Sequence, residues 1–145
     1  MNSFTSKDLK HFNHLITEMD AAYHEISLKL GLSDSAMSIL YTICNYGESC
    51  LLQDICRQSG LSKQTINSSL RKLETGNILY LEMAGAKSKR VTLTDAGKAL
   101  AQRTALQVIN TENEIFASWS REDVEKYLEL TEDYLTALKE KAKQL

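Results

Sequence analysis

The chain has 145 residues, 43% hydrophobic and 25% charged, with a formal net charge of −2, the composition of an ordinary globular domain with a core of its own. It is not the composition of a disordered or low-complexity chain, and no apolar run approaches the ~18 residues that span a bilayer. No apolar leader segment follows residues 1–8, so the expected location is cytoplasmic, without a membrane partner.

Residues 6–30 carry Leu9, Phe12, Ile16, Met19, Tyr23, Ile26 and Leu30 at alternating spacings of three and four, which predicts a long helix with a heptad stripe. Ser33 is placed to cap a second helix over 33–46, with Met37, Leu40, Tyr41 and Cys44 toward the core. Residues 47–51 form a connector with room for a short edge strand. Leu52, Ile55 and Cys56 then share one face of a third helix, which Gly60 ends. Ser62 is the expected cap of a fourth helix running to Thr75, and Gly76 is the expected left-handed residue that closes it. Two short strands over 77–83 and 88–93 surround the tip Ala84-Gly85-Ala86-Lys87. Residues 94–119 predict the longest helix, unkinked because the chain has no proline. Gly97, inside that helix, is expected where another segment packs closely. The last helix, 120–145, repeats a heptad stripe through Val124, Leu128, Thr131, Leu135, Leu138, Ala142 and Leu145.

Helix, tight turn, helix and hairpin are the order of a winged helix-turn-helix. The expected fold is therefore mainly α with a small β-wing, within a single domain over 1–145. Residues 33–93 make the winged part, and helices in 1–30 and 94–145 serve dimerisation. Leu15, Tyr127, Leu130 and Tyr134 widen the apolar faces of the two end helices beyond what one small module covers, so a homodimer is the economical expectation.

The fourth helix can be set on a wheel at 100° per residue. Ile66, Leu70 and Leu73 fall together and face inward. Opposite them lie Gln64, Ser68, Arg71 and Thr75, flanked by Asn67 on one side and Thr65 and Lys72 on the other. Gln, Asn and Arg make paired hydrogen bonds to base edges in the major groove of double-stranded DNA, and Ser and Thr reach bases or phosphates. A merely solvated face is the bland alternative, but it ordinarily carries Glu–Lys pairs and strong helix formers, and Gln-Thr-Ile-Asn-Ser-Ser is neither. Charge points the same way. Between positions 52 and 93, Arg57, Lys63, Arg71, Lys72, Lys87, Lys89 and Arg90 stand against Asp54, Glu74 and Glu82, a balance of +4 that leaves −6 elsewhere.

The run Leu61-Ser-Lys-Gln-Thr-Ile-Asn-Ser-Ser-Leu-Arg-Lys-Leu-Glu74, then Gly76, then Val91-Thr-Leu-Thr-Asp-Ala-Gly97, resembles the MarR family of bacterial transcription regulators. The resemblance extends over the whole chain, since the flanking helices also match. It implies a sequence-specific regulator, a repressor acting as a homodimer on a palindromic operator and responsive to a small molecule or an oxidant. The DNA-contacting residues expected from the wheel and the charge pattern are Lys63, Gln64, Thr65, Asn67, Ser68, Arg71 and Lys72 on the helix and Lys87, Lys89 and Arg90 on the wing. One departure stands out. Where the family commonly has Asp-x-Arg in the wing, this chain has Gly85 and Lys87, which keeps a charge but loses the planar fork and the carboxylate that orients it. The expectation is that discrimination falls more heavily on the helix.

Regulatory chemistry is less legible. Cys44, Cys50 and Cys56 are spaced for neither zinc nor a redox Cys-x-x-Cys. Cys44 and Cys56 read as small buried hydrophobes, whereas Cys50, in the connector, reads as the accessible thiol and so the candidate oxidant sensor. His11, His14 and Glu18 could share a helix face that admits a metal, although surface residues beside a heptad stripe look the same. Tyr23, Tyr41, Tyr46 and Trp119 are candidate linings for an aromatic effector and equally candidate core. No cofactor is implied, and no serine lies in a nucleophile elbow or beside a histidine, so no enzyme is expected. The rival is a winged helix used for protein–protein contact without DNA, which predicts an apolar or acidic outer face on the fourth helix.

Overall fold

The computed structural model describes residues 3–145. Seven helices and three strands follow in the order α1 (Lys7–Lys29), α2 (Asp34–Asn45), β1 (Ser49–Leu51), α3 (Leu52–Gln58), α4 (Lys63–Thr75), β2 (Leu79–Met83), β3 (Lys89–Leu93), α5 (Asp95–Arg103), α6 (Ala105–Ala117) and α7 (Arg121–Ala142). Contacts divide the chain into two units, 1–108 and 109–145.

In the first unit the core is built around α2. Ile39, Leu40 and Ile43 are fully buried, and Ala36, Met37 and Thr42 nearly so, leaving little of the helix to solvent. Each such aliphatic side chain contributes roughly 1.5–3 kcal/mol of burial. Ile55 from α3, Ile66, Leu70 and Leu73 from α4, Leu79, Val91 and Leu93 from the sheet, and Ala101, Ala105 and Val108 complete the cluster. Ser33 caps α2 and Ser62 caps α4, each hydroxyl accepting the backbone N–H three residues on, as the sequence predicts. The connector does supply an edge strand: β1 pairs antiparallel with β3, giving a three-stranded sheet in the order β1-β3-β2.

Three expectations are corrected. Gly76 is not left-handed. It sits at φ −78°, and Asn77 takes the positive φ of 59° instead. The end of α4 is a Schellman closure one residue later than expected, with Ile78 N–H donating to Leu73 O (2.9 Å) and Asn77 N–H to Glu74 O (3.0 Å). Asparagine tolerates this conformation better than most residues. Second, residues 94–119 do not form one helix. Thr104 (φ −129°, ψ −92°) separates α5 from α6. No proline is needed: the buried Thr104 hydroxyl donates to Leu100 O (2.6 Å), the back-bond that bends helices. Third, Cys50 is the buried cysteine, 2% exposed on the inner face of β1 opposite Val91, while Cys44 and Cys56 are only half-buried. A three-residue strand against the core hides its central side chain, and a connector with room for an edge strand does not announce which of its residues faces inward.

The expectation for Gly97 holds with a definite cause. A Cβ there would lie 1.9 Å from the Ile78 carbonyl oxygen and 3.0 Å from its carbon. The same carbonyl accepts the Thr94 N–H (3.0 Å), the Thr94 hydroxyl lies within hydrogen-bonding reach of the carbonyls of Asn77 (2.6 Å) and Ile78 (3.0 Å), and it accepts the Gly97 N–H (2.9 Å). The start of α5 is thus clasped to the two residues that leave α4.

Along α1 the stripe divides. Ile26 and Leu30 pack on the core, whereas Leu9, Leu15, Ile16 and Met19 stay 39–48% exposed. In the second unit no residue of α7 is buried, and Leu128, Leu130, Leu135 and Leu138 are 48–54% exposed. Phe116, Trp119 and Tyr127 meet edge-to-face around the α6–α7 turn, with ring centroids 5.4–6.3 Å apart. Trp119 is therefore part of an aromatic cluster with those two rings. Among the described residues no helix is long and apolar enough to cross a membrane.

Candidate nucleic-acid interface

The inward stripe of α4 is as expected, with Ile66, Leu70 and Leu73 buried, and it fixes what the other side presents. Lys63, Gln64, Thr65, Asn67, Ser68, Arg71, Lys72 and Thr75 are all exposed. Glu74, exposed beside Asn67, is the only carboxylate on the helix and lies at the edge of this face, away from Gln64, Ser68, Arg71 and Thr75 at its centre. None of Lys63, Arg71 or Lys72 is ion-paired among the described residues. Two open clefts run along the face. One is lined by Ser68, Arg71, Lys72, Thr75 and Gly76, the other by Gln64, Thr65, Ser68, Ser69 and Lys72 together with Ser33 and Ser35 from the start of α2.

The wing divides its charges. Lys89 and Arg90 are consecutive on β3, so their side chains leave opposite faces of the sheet. Lys89 joins Lys87 of the tip, Lys63 of α4, and Gln53 and Cys56 of α3 around a cavity of about 410 Å³. Arg90 faces the other way, opposite Glu82 on β2, and donates to the Ser49 hydroxyl (3.2 Å). Arg57, counted with the positive charges in the sequence, is held by the buried Asp54 carboxylate, which also accepts the Leu51 N–H (3.2 Å).

Sequence reasoning missed Ser33, Ser35 and Ser69 at this surface. Ser69 was findable: on the wheel it falls beside Ile66 and Leu73, which places a hydroxyl on the buried face, and it is 8% exposed. Its partner is the Ser35 hydroxyl, a pairing across 34 residues that no local pattern announces.

The other candidate sites are resolved as follows. Burial, with a contribution from Asp54, pushes the Cys50 thiol up to about 11, against a smaller opposing effect of Arg90. It lacks both the access and the thiolate character of a sensor. Burial also raises Cys44. His14 lies 3.8 Å from Glu18 on exposed α1, and among the described residues no group of three or more His, Cys, Asp or Glu side chains could hold a metal ion.

A recognition helix with a polar outer face, a supporting α2–α3 pair and a three-stranded wing define a winged helix-turn-helix protein. Residues 30–90 match the model of the MarR family, and the solved structures that resemble the chain carry the fold of that family's regulators. A MarR family regulator from Neisseria meningitidis is 19% identical, with a TM-score of 0.77 over 94% of this chain and 96% of the other. A MarR family regulator from Silicibacter pomeroyi is 19% identical, with a TM-score of 0.68 over 87% and 86%. BpsR of Bordetella bronchiseptica, whose DNA binding is regulated by 6-hydroxynicotinic acid, is 17% identical, with a TM-score of 0.62 over 86% and 98%. No curated protein matches the sequence. The family match takes in the helix part of the MarR resemblance, residues 61–76, and the solved structures show the fold.

Proposed function

We propose that the chain is a sequence-specific, double-stranded-DNA-binding transcription regulator of the MarR type, a repressor acting as a homodimer on a palindromic operator. The observation that carries this is the outer face of α4: polar throughout and exposed, with Lys63, Arg71 and Lys72 against a single carboxylate, Glu74, at its edge. Gln64, Asn67, Ser68 and Arg71 would read base edges in the major groove. Lys63, Thr65, Lys72, Lys87, Lys89 and Arg90 would hold the backbone on either side. An apolar or acidic face, which a protein-binding winged helix requires, is not what α4 presents.

The dimer is supported by the uncovered leucines of α1 and α7, whose exposed stripes continue over several turns in each helix. Two copies related by a two-fold axis would bring two recognition helices to half-sites ~10 base pairs apart, and that symmetry is what an operator palindrome mirrors. A small-molecule effector is supported by BpsR and its 6-hydroxynicotinic acid and by NadR, solved in complex with 4-hydroxyphenylacetate. Selection of bound duplexes from a random pool tests the proposal. A palindromic consensus whose affinity falls ~10³–10⁵-fold between 50 and 200 mM salt (about the range for 6–10 neutralised phosphates) is the expected result. Enrichment of no sequence, or a response flat in salt, would overturn it.

A further inference from the structure

The cleft between the start of α2 and the side of α4 is built from hydroxyls. Ser33 Oγ accepts the Ala36 N–H (3.1 Å) and lies 3.3 Å from Ser35 Oγ, and Ser35 Oγ is hydrogen-bonded to the buried Ser69 Oγ. Three hydroxyls carry three protons, and the two contacts among them use two. One O–H therefore remains for whatever enters the cavity of about 340 Å³ that these residues line. Across it stands Lys72, exposed and without an ion pair among the described residues. The neighbouring acid does not line this space: Asp34 is hydrogen-bonded to His24 Nδ1 of α1 at 2.7 Å. Gln64, Thr65 and Ser68 of the outer α4 face form the rest of the wall, so the cleft opens beside the surface proposed to read bases.

We infer that this cleft seats one phosphodiester of the operator strand bordering the groove that α4 enters, with Ser35 donating its hydroxyl and Lys72 its ammonium. The inference rests on the DNA-binding reading and extends it. The start of α2 becomes a third contacting element beside α4 and the wing, and the Ser35–Ser69 bond is what fixes the Ser35 hydroxyl toward the strand. A spare hydroxyl proton facing a lysine matches a phosphate oxygen pair, whereas base edges would need the amide and guanidinium groups found farther along the face.

The test uses the full chain and the selected duplex. Ser35→Asp places a carboxylate at the second position of α2, where the helix dipole favours it and Ser69 can still donate to it, so the unfolding midpoint should hold or rise. The same carboxylate faces the phosphate, and affinity for the operator should fall about tenfold or more per half-site. Lys72→Gln should lower the salt slope by about one per subunit. Phosphate ethylation should block wild-type binding at one additional position per half-site, and that interference should weaken in Ser35→Ala and vanish when Lys72→Gln is added. Wild-type affinity in Ser35→Asp, or an unchanged ethylation pattern in Ser35→Ala, would overturn the seat alone. A wild-type chain that binds no duplex would overturn the underlying reading along with it.

Discussion

Gly97→Ala isolates the joint between the end of α4 and the start of α5. In an open helix this substitution stabilises by roughly 0.5–1 kcal/mol, because alanine surrenders less backbone entropy than glycine. Here the new methyl carbon would sit 1.9 Å from the Ile78 carbonyl oxygen, backbone that no rotamer change can move aside. Relief requires α5 and the 77–78 segment to separate by more than an ångström. That motion stretches the bonds from Thr94 N–H and the Thr94 hydroxyl to the same two residues. Overpacking of this kind costs about 1–3 kcal/mol, and weakening two hydrogen bonds adds about 1 kcal/mol each. Against the propensity gain, a net loss of about 2–4 kcal/mol is expected. Urea unfolding at fixed protein concentration measures it, since the midpoint of the proposed dimer would move with concentration. Gly85→Ala is the control, because a Cβ at Gly85 meets nothing within 4 Å. If Gly97→Ala is as stable as wild type while Gly85→Ala is unchanged, the clasp has no energetic content and the reasoning fails.

Asn77 at φ 59° predicts that Asn77→Ala costs about 1 kcal/mol while Asn77→Gly is neutral or stabilising, read from the same urea midpoints; equal stability of all three would refute a left-handed closure. In the native protein Cys56 should react with a thiol reagent before Cys50, which should react only on unfolding, and bound operator should protect Cys56, since it shares a cavity with Lys63, Lys87 and Lys89. Mass spectrometry of the labelled chain decides the order, and early modification of Cys50 would contradict its burial. The Cys50 thiol, raised from 9.0 to about 11, is held protonated by the fold, so its contribution to stability is complete below pH 9 and declines as pH rises toward 11. The pH dependence of the unfolding midpoint should therefore be shallower in Cys50→Ala than in wild type across that window, and identical slopes would refute the assignment.

How much of this was legible in the sequence follows from how local each cause is. The caps at Ser33 and Ser62, the inward stripe of Ile66, Leu70 and Leu73, and the glycine at 97 are written in spacings of three or four residues, and each stands where it was expected. Where the cause lies elsewhere in the chain, the sequence misled. Gly76 was the obvious left-handed residue, yet α4 ends at Thr75 as expected and the positive φ falls one position later, at Asn77, where Ile78 N–H reaches Leu73 O and the Ile78 carbonyl accepts from Thr94. Residues 94–119 carry a helical pattern on both sides of Thr104, and periodicity cannot register a break made by one hydroxyl and the packing of Ala101, Ala105 and Val108. The short β1 turned the expected exposed cysteine into the buried one. Of the candidate interface, the α4 residues follow from the wheel, whereas Ser35 and the Lys63–Lys87–Lys89 cavity depend on which distant elements meet.

That division also bears on how the proposed reader would discriminate among sequences. Four facts about the wing point one way. Gly85 and Lys87 replace the carboxylate–guanidinium pair of the family pattern, Lys89 faces α3 and α4, and Arg90, the one guanidinium, is turned to the opposite face. There it stands opposite Glu82 in the strand register and donates to the Ser49 hydroxyl. A planar fork engaged with its own sheet gives little to a minor groove, and lysines supply charge without bidentate geometry. On α4, by contrast, Gln64, Asn67 and Arg71 are exposed and can form two-point contacts with base edges, worth about 1–3 kcal/mol of discrimination each. On the proposed reading the wing would serve affinity and the helix specificity, with the orientation of Arg90 and the loss of the Asp-x-Arg pattern both separating the two roles.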